Sequence, residues 1–375
     1  MKGNNTQLEK PFFPNLNGLR FFAAIAVILF HSVTLEREIW GDFYHSIPFQ
    51  KYATLALKGH FGIIFFFVLS GFLITYLLLW ETANKGRINI FNYLVRRFLR
   101  VWPLYFLIVL FGFFIFQHLP YGIETKHEFW RFLFFLSNID EILIGPIDPI
   151  NFLSATWTVS VEEQFYLAWG VLIGVFQFSK KRTYYFFFFS VILLALLFRY
   201  LHLDEPRTLY FHTFSVMSDL AIGGIIGLLA FEGKIIPFIK KIKRWQLLVF
   251  YAASLLFLVY EGHYLNGFFF TFERIIPGFI FAFIILEQIY AERSFFKADA
   301  IPFFAYSGKI TYGFYMFHCI SIYYWSIFFK NMSWTDGIGG YILYFAVIFA
   351  TTYLLAHLSF KYYETPILKL KQFFR

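Results

Sequence analysis

Charge and cysteine are the two things this sequence has little of. Charged residues make up 15% of its 375 positions, against about 25% in a soluble domain, so a water-soluble fold is excluded. The one cysteine, Cys319, excludes an internal disulfide and any cysteine metal cluster, and no metal is expected. An internal repeat and a low-complexity linker are also missing. The first apolar run lacks a small-residue cleavage site, so no cleavable signal peptide is expected. The net charge of +9 implies no nucleic-acid partner, because the basic residues sort by membrane side instead.

What is present is apolar length. The chain is 59% hydrophobic and 25% aromatic, with recurring runs of about 18 to 22 residues, each long enough to cross a hydrocarbon core. The expected fold is all-α: a multi-pass protein of the lipid bilayer, one domain over residues 1–375. Ten spans are predicted near 17–35, 60–80, 98–117, 163–178, 184–201, 212–231, 246–261, 268–290, 310–329 and 338–360. With a cytoplasmic N-terminus, 23 of the 32 Lys and Arg fall on the inner side, which is the positive-inside asymmetry. An even number of spans then makes both termini cytoplasmic. The longest non-spanning piece, His118 to Glu162, faces outside. Within it Phe129 to Leu136 is too short to cross and reads as interfacial or re-entrant. The Phe-rich run Tyr184 to Phe189 reads as lipid-facing bulk.

The chain is organised around Asn17-Gly-Leu-Arg20, ten apolar residues, then His31. Eleven residues of helix turn through about 1100°, three turns plus roughly 20°, so Arg20 and His31 share one face about 16 Å apart. An Arg at the start of a span can snorkel to the interface. A His deep in an apolar run needs a partner or a task.

Four further stretches carry candidate chemistry. Arg96, Arg97 and Arg100 precede Pro103. Positive-inside anchoring accounts for basic residues there, but three Arg rather than Lys suit phosphate, which guanidinium binds through two parallel bonds. Glu162 and Glu163 stand at the predicted outer start of a span, where negative charge is favourable and where a carboxylate can pair with an intramembrane His. They point about 100° apart, so one of them faces the interior. Tyr312 to His318 brings a second intramembrane His into the ninth span, either as a packing residue or as part of a site. Glu364, before Pro366, is expected to end the last helix and pair with a base.

Taken together, these motifs resemble the membrane-bound acyltransferase-3 family: Leu16 to Arg20 with His31, Phe65 to Leu73, Arg96/Arg97/Arg100 with Pro103, Trp157 to Tyr166, Tyr312 to His318, then Glu364 and Pro366. The likeness covers nearly the whole chain in family order. It implies transfer of an acyl group, usually acetyl, from cytoplasmic acyl-coenzyme A to a hydroxyl of a glycan or glycoside beyond a bacterial inner membrane. Acyl-CoA is then a co-substrate, and no cofactor is held permanently. It makes Arg20 and His31 the essential pair, with Glu162 or Glu163 assisting. Arg96, Arg97 and Arg100 face the donor, and Trp157, Tyr166, Tyr312 and His318 are substrate-binding. Asn17 departs from the Asp usual at that position. Some members carry an extracytoplasmic esterase-like domain, which this sequence is expected to lack. His31 would act as general base on the acceptor hydroxyl, tuned by a carboxylate; an acyl-His step is the alternative. The rivals are a proton-coupled transporter using His31, Glu163 and His318, and a polytopic glycosyltransferase or polysaccharide polymerase. The first commonly shows repeated halves, and neither should bind acetyl-CoA.

Overall fold

The computed structural model describes residues 11–34, 56–144, 152–176, 181–332 and 337–374. No strand occurs among them. Their ten long helices are α1 (Leu16–Thr34), α2 (Phe61–Lys85), α3 (Ile90–Leu110), α4 (Thr156–Phe176), α5 (Lys181–Leu201), α6 (Thr213–Phe231), α7 (Arg244–Tyr264), α8 (Ile275–Tyr290), α9 (Thr311–Met332) and α10 (Gly337–Ser359). Each coincides with one predicted span. Eight candidate spans are long and apolar enough to cross a membrane by composition, α1 to α3, α5 to α8 and α10 among them. The remaining two, α4 and α9, have matching lengths of 21 and 22 residues and carry the polar motifs. The chain is an all-α, multi-pass membrane protein.

Two helix starts differ from expectation, and both move site residues. α3 begins at Ile90, where the Asn89 side chain accepts from the Asn92 amide at 3.0 Å and so caps an otherwise orphaned donor. Arg96, Arg97 and Arg100 therefore lie in the body of a helix rather than at its mouth. α4 begins at Thr156, whose hydroxyl donates to the Leu153 carbonyl at 2.7 Å. Glu162 and Glu163 are thus nearly two turns inside α4, not at its outer start.

α2 and α6 form the tightest helix pair. A side chain at Gly71 would lie 2.0 Å from the Leu220 carbonyl, and one at Gly223 2.0 Å from that of Val68. Without water to expel, membrane helices gain by close backbone approach, and glycine permits it. Pro103 removes a helical donor within α3. Nearby carbonyls turn to other partners: Val101 accepts from Tyr312 at 2.8 Å and Pro103 from Tyr363 at 3.1 Å.

The apolar core falls into two clusters, and α1 is the wall between them. Leu16, Ala23 and Val27 pack into the larger one with α2, α4 and α6. Phe21, Ala24 and Ile28 pack into the smaller one with α9 and α10. On a helical projection these sets lie about 20–60° to one side of Arg20 and about 40–100° to the other. Arg20 and His31 occupy the seam.

The Phe129–Leu136 stretch does not cross. It forms a short helix at Phe129–Leu133, with Phe132 fully buried and its carbonyl bonded by Tyr105 at 2.9 Å. The Phe-rich run of α5 is not wholly lipid-facing. Phe186 and Phe189 are exposed, but Phe188 is buried and its ring fills the space over Gly224 and against Trp169. Pro146, Asp148 and Pro149 of the outer segment lie outside the described residues.

Candidate active site

The first layer of the site gathers around Arg20. Its guanidinium donates to Asn17 Oδ1 at 3.0 Å, so the amide at the departing family position still orients the arginine, without neutralising it. Arg20 lies within electrostatic reach of Arg100, Tyr166, Glu162 and Asp299. Arg97 stacks over Tyr166 at 4.7 Å and Tyr93 at 5.8 Å, a favourable use of a ring's negative face. Arg100 is solvent-accessible, close to Arg97, Tyr166, Glu162 and Glu364, and makes no hydrogen bond among the described residues. Arg96 is elsewhere. It is tied to Glu81 at 2.7 Å and to the Phe374 carbonyl at 2.8 Å. The cluster is Arg20, Arg97 and Arg100, with Arg20 standing where Arg96 was expected.

Glu162 closes a three-membered ring of hydrogen bonds. Ser70 donates to it at 2.7 Å, Tyr166 donates to it at 3.1 Å, and Tyr166 lies 2.9 Å from Ser70. Glu163 turns to the far side of α4 and accepts from Trp102 Nε1 at 2.7 Å; its other oxygen is buried without a hydrogen bond. Of the two, Glu162 lies within electrostatic reach of Arg20, Arg97 and Arg100, while Glu163, about 100° round the helix, reaches Arg97 alone of the three. Glu364 accepts from Ser359 at 3.0 Å. It belongs to a π-helical turn, Phe360–Glu364, with the chain continuing as helix beyond it. Its base is Arg100, by proximity.

The second layer lies further along α1. His31 Nδ1 is 2.7 Å from His318 Nε2, the rings stacked with centroids 4.9 Å apart. His318 Nδ1 meets the Tyr315 carbonyl in a short contact. A carbonyl only accepts, so His318 Nδ1 carries the proton and its Nε2 is a lone pair. His31 Nδ1–H then donates to that lone pair, which leaves the lone pair of the neutral His31 ring on Nε2. Cys319 Sγ stands 3.2 Å from His318 Nε2. The described partner of His31 is therefore a second histidine, while the carboxylates expected to tune it are engaged by Ser70, Tyr166 and Trp102 in the other layer. Tyr315 links the layers. Its hydroxyl donates to the Ala155 carbonyl at 3.1 Å, accepts from Thr158 at 2.8 Å, and lies within electrostatic reach of Glu162.

Two expected substrate residues are engaged by the protein itself, Trp157 buried and Tyr312 half-buried. Trp157 is 4% exposed and set edge-on to Phe67 and Phe211. Tyr312 spends its hydroxyl on Val101. Asp299, outside every span, went unremarked in the sequence. Its carboxylate accepts from the Gly18 amide at 2.7 Å and the Asn15 amide at 2.9 Å, holding the start of α1, where orphan donors favour an anion. A side chain at Gly18 would lie 2.3 Å from the Ala298 carbonyl, so the Asn-Gly pair is what lets this loop dock. Only the contact itself, 281 residues distant in sequence, reveals the partnership.

A bundle of apolar helices that gathers an arginine cluster and a histidine pair defines an integral membrane protein with a polar site. The family model described as "Acyltransferase domain" matches residues 13–357, and the chain belongs to that acyltransferase family. It is 26% identical over 388 residues to a Staphylococcus aureus (strain COL) protein named "Putative O-acetyltransferase SACOL0978", covering 98% of this chain and 59% of that protein. It is also 26% identical to "O-acetyltransferase OatA" of Staphylococcus aureus (strain NCTC 8325 / PS 47), covering 96% of this chain and 57% of that one. The chain thus spans less than two thirds of the length of these relatives. No solved structure matches it.

Proposed function

We propose that the chain is a membrane O-acyltransferase. It takes an acyl group, in the first instance acetyl, from acyl-coenzyme A on the cytoplasmic side and passes it to a hydroxyl of a glycan or glycoside outside the cell's inner membrane. One observation carries this reading: Arg20, Arg97 and Arg100 gather around Glu162, yet none of them makes an ion pair with a carboxylate among the described residues, and Arg100 makes no hydrogen bond there. Guanidinium groups so placed leave hydrogen-bond donors open, and the part of a coenzyme A nucleotide that suits such donors is phosphate. The relatives' names point to acetyl transfer to oxygen.

The donor nucleotide docks at Arg97 and Arg100, with Arg20 held by Asn17. The pantetheine arm follows the α1 seam, about 16 Å from Arg20 to His31. Nε2 of His31 removes the proton from the acceptor hydroxyl as its oxygen bonds the thioester carbon. The resulting imidazolium donates through Nδ1 to His318 Nε2, which spreads its charge. The tetrahedral intermediate then breaks its carbon–sulfur bond, and the departing sulfur takes the proton back from His31. Glu162, Ser70 and Tyr166 orient the arginines and bound donor rather than the acceptor.

Two measurements test this reading: acetyl-CoA binding to the purified protein, and turnover in proteoliposomes with His31→Ala. Binding in both forms, with turnover lost only in the variant, is the expected result. Near-normal turnover of His31→Ala would overturn the role given to His31, and absence of acetyl-CoA binding would overturn the whole assignment.

A further inference from the structure

The sequence excludes a cysteine metal cluster, but not a mixed one. His31, His318 and Cys319 each offer a ligand atom, and these atoms lie within 4.8 Å of one another. We propose that these three side chains form a binding site for Cu(I) that silences the enzyme when filled; the silencing rests on the role given to His31 above.

The donor set comes first. Two imidazole nitrogens and one thiolate suit a soft ion, and Cu(I) is the softest choice for a thiolate-containing site. Charge comes second. His318 is fully buried and Cys319 is 3% exposed, so a net charge placed here is poorly solvated. One thiolate and one Cu(I) sum to zero, whereas Zn(II) would leave an uncompensated positive charge. Geometry comes third. Bonds of about 2.0 Å to nitrogen and about 2.3 Å to sulfur place ligand atoms about 3.3–3.6 Å apart. The atoms now stand 2.7 Å apart for His31 Nδ1 and His318 Nε2, and 3.2 Å for Cys319 Sγ and His318 Nε2. An ion would spread these two pairs by under an ångström, while the His31–Cys319 pair lies within 4.8 Å. The outer shell is already built, since His318 keeps its Nδ1–H on the Tyr315 carbonyl, the second-shell bond typical of a metal-bound imidazole. His31 is only half-buried, which gives an ion its way in.

The binding step balances. Copper bonds form to His318 Nε2, His31 Nδ1 and Cys319 Sγ. The thiol proton leaves to water. His31 loses its Nδ1 proton and takes one up on Nε2, so its ring stays neutral. That tautomer is the reverse of the one transfer needs: the basic lone pair is spent on the metal. No electron moves, and copper enters and leaves as Cu(I).

The test uses the full chain in nanodiscs under anaerobic, reducing conditions. Cu(I) is supplied as its complex with a coloured chelator, and loss of colour reports transfer to the protein. The wild type should take one equivalent, and Cys319→Ser and His318→Gln should each weaken binding at least tenfold. Acetyl transfer should stop at one equivalent and return when chelator is added in excess; Cys319→Ser should keep its own metal-free rate under the same copper. No uptake, unchanged affinity in Cys319→Ser, or tighter binding of Zn(II) in a parallel titration would each overturn the site. Copper uptake that depends on all three residues while transfer continues undiminished would leave the ion site standing and overturn the reading of His31 as the base.

Discussion

Two sets of arginines lie inside this bundle, and they are treated in opposite ways. Arg199 and Arg274 are each tied to a carboxylate. Arg199 donates to Glu273 at 2.6 Å, Ser215 at 2.8 Å, and the carbonyls of Thr271, Leu209 and Phe270. Arg274 donates twice to Asp219, at 2.5 and 3.0 Å. Each guanidinium here has its own carboxylate, as buried charges require. Arg20, Arg97 and Arg100 gather around Glu162, with Asp299, Glu163 and Glu364 each near one of them, but they lean on an amide and two rings rather than on an ion pair, and Arg100 leaves every donor unbonded among the described residues. The difference follows exposure: Arg199 and Arg274 are buried, whereas Arg20 and Arg97 are half-buried and Arg100 is exposed, so solvent or a ligand can reach the donors of the second set.

That contrast is breakable by substitution. Removing one partner of a buried pair should cost most: Arg274→Met leaves Asp219 buried and unpaired and should destabilise by about 3–5 kcal/mol, while the double variant Asp219→Leu/Arg274→Met should recover much of it. Thermal unfolding in detergent reads both, and equal stability of single and double variants would show that the pair is not coupled. Arg100→Gln should do the reverse. Its stability should hold or rise, because a like-charge neighbour is removed, while acetyl-CoA binding falls at least tenfold and loses part of its salt dependence. An unchanged dissociation constant would reduce Arg100 to a topology signal.

Asn17→Asp sharpens the comparison more gently. It converts the amide holding Arg20 into a carboxylate and moves the open set toward the paired one. Donor binding should weaken by a few-fold, with Arg20 more firmly held; tighter binding would mean that orientation, not free charge, limits the site. The smallest effect belongs to Glu141, in the Ser137–Ile144 helix. Burial there pushes its carboxyl up, against the opposing pull of His127, Ser154 and Arg207, with Asp140 adding to the rise. A carboxyl raised in the fold contributes stability present at low pH and lost as pH rises through its folded value. The melting temperature should therefore decline slightly from mildly acidic to neutral pH, and Glu141→Gln should flatten that slope. A slope unchanged by Glu141→Gln would assign it to another group.

How much of this was legible depends on whether the signal was local. The ten helices were readable because a span is a contiguous apolar run, and α4 and α9 were found despite their polar faces by length alone. Arg20 and His31 stood out because polar residues inside such a run are costly. Their partners were not readable. His31 answers to His318, 287 positions away, and Glu162 to Ser70 on another helix, pairings that no periodicity encodes. Helix starts misled in the same way. The fourth span was expected near 163–178 with both glutamates at its outer start, but the helix begins at Thr156, whose hydroxyl bonds the Leu153 carbonyl, which puts both glutamates inside it. Asp219 and Arg274 did carry a signal, since a charge within an apolar span calls for a partner; Asp219 drew no reading, and Arg274 entered only the count of basic residues by membrane side.

The glycine contacts between α2 and α6 bear on how the molecule moves. Two helices whose backbones touch at Gly71 and Gly223 cannot slide past one another without atomic collision, nor roll without losing their fit. They behave as a strut. Ser70 is fixed to that strut, and through it Glu162, so the arginine end of the site has a rigid footing. Any movement of the site is more easily taken up along the other wall, where α1 meets α9 through the two stacked imidazoles.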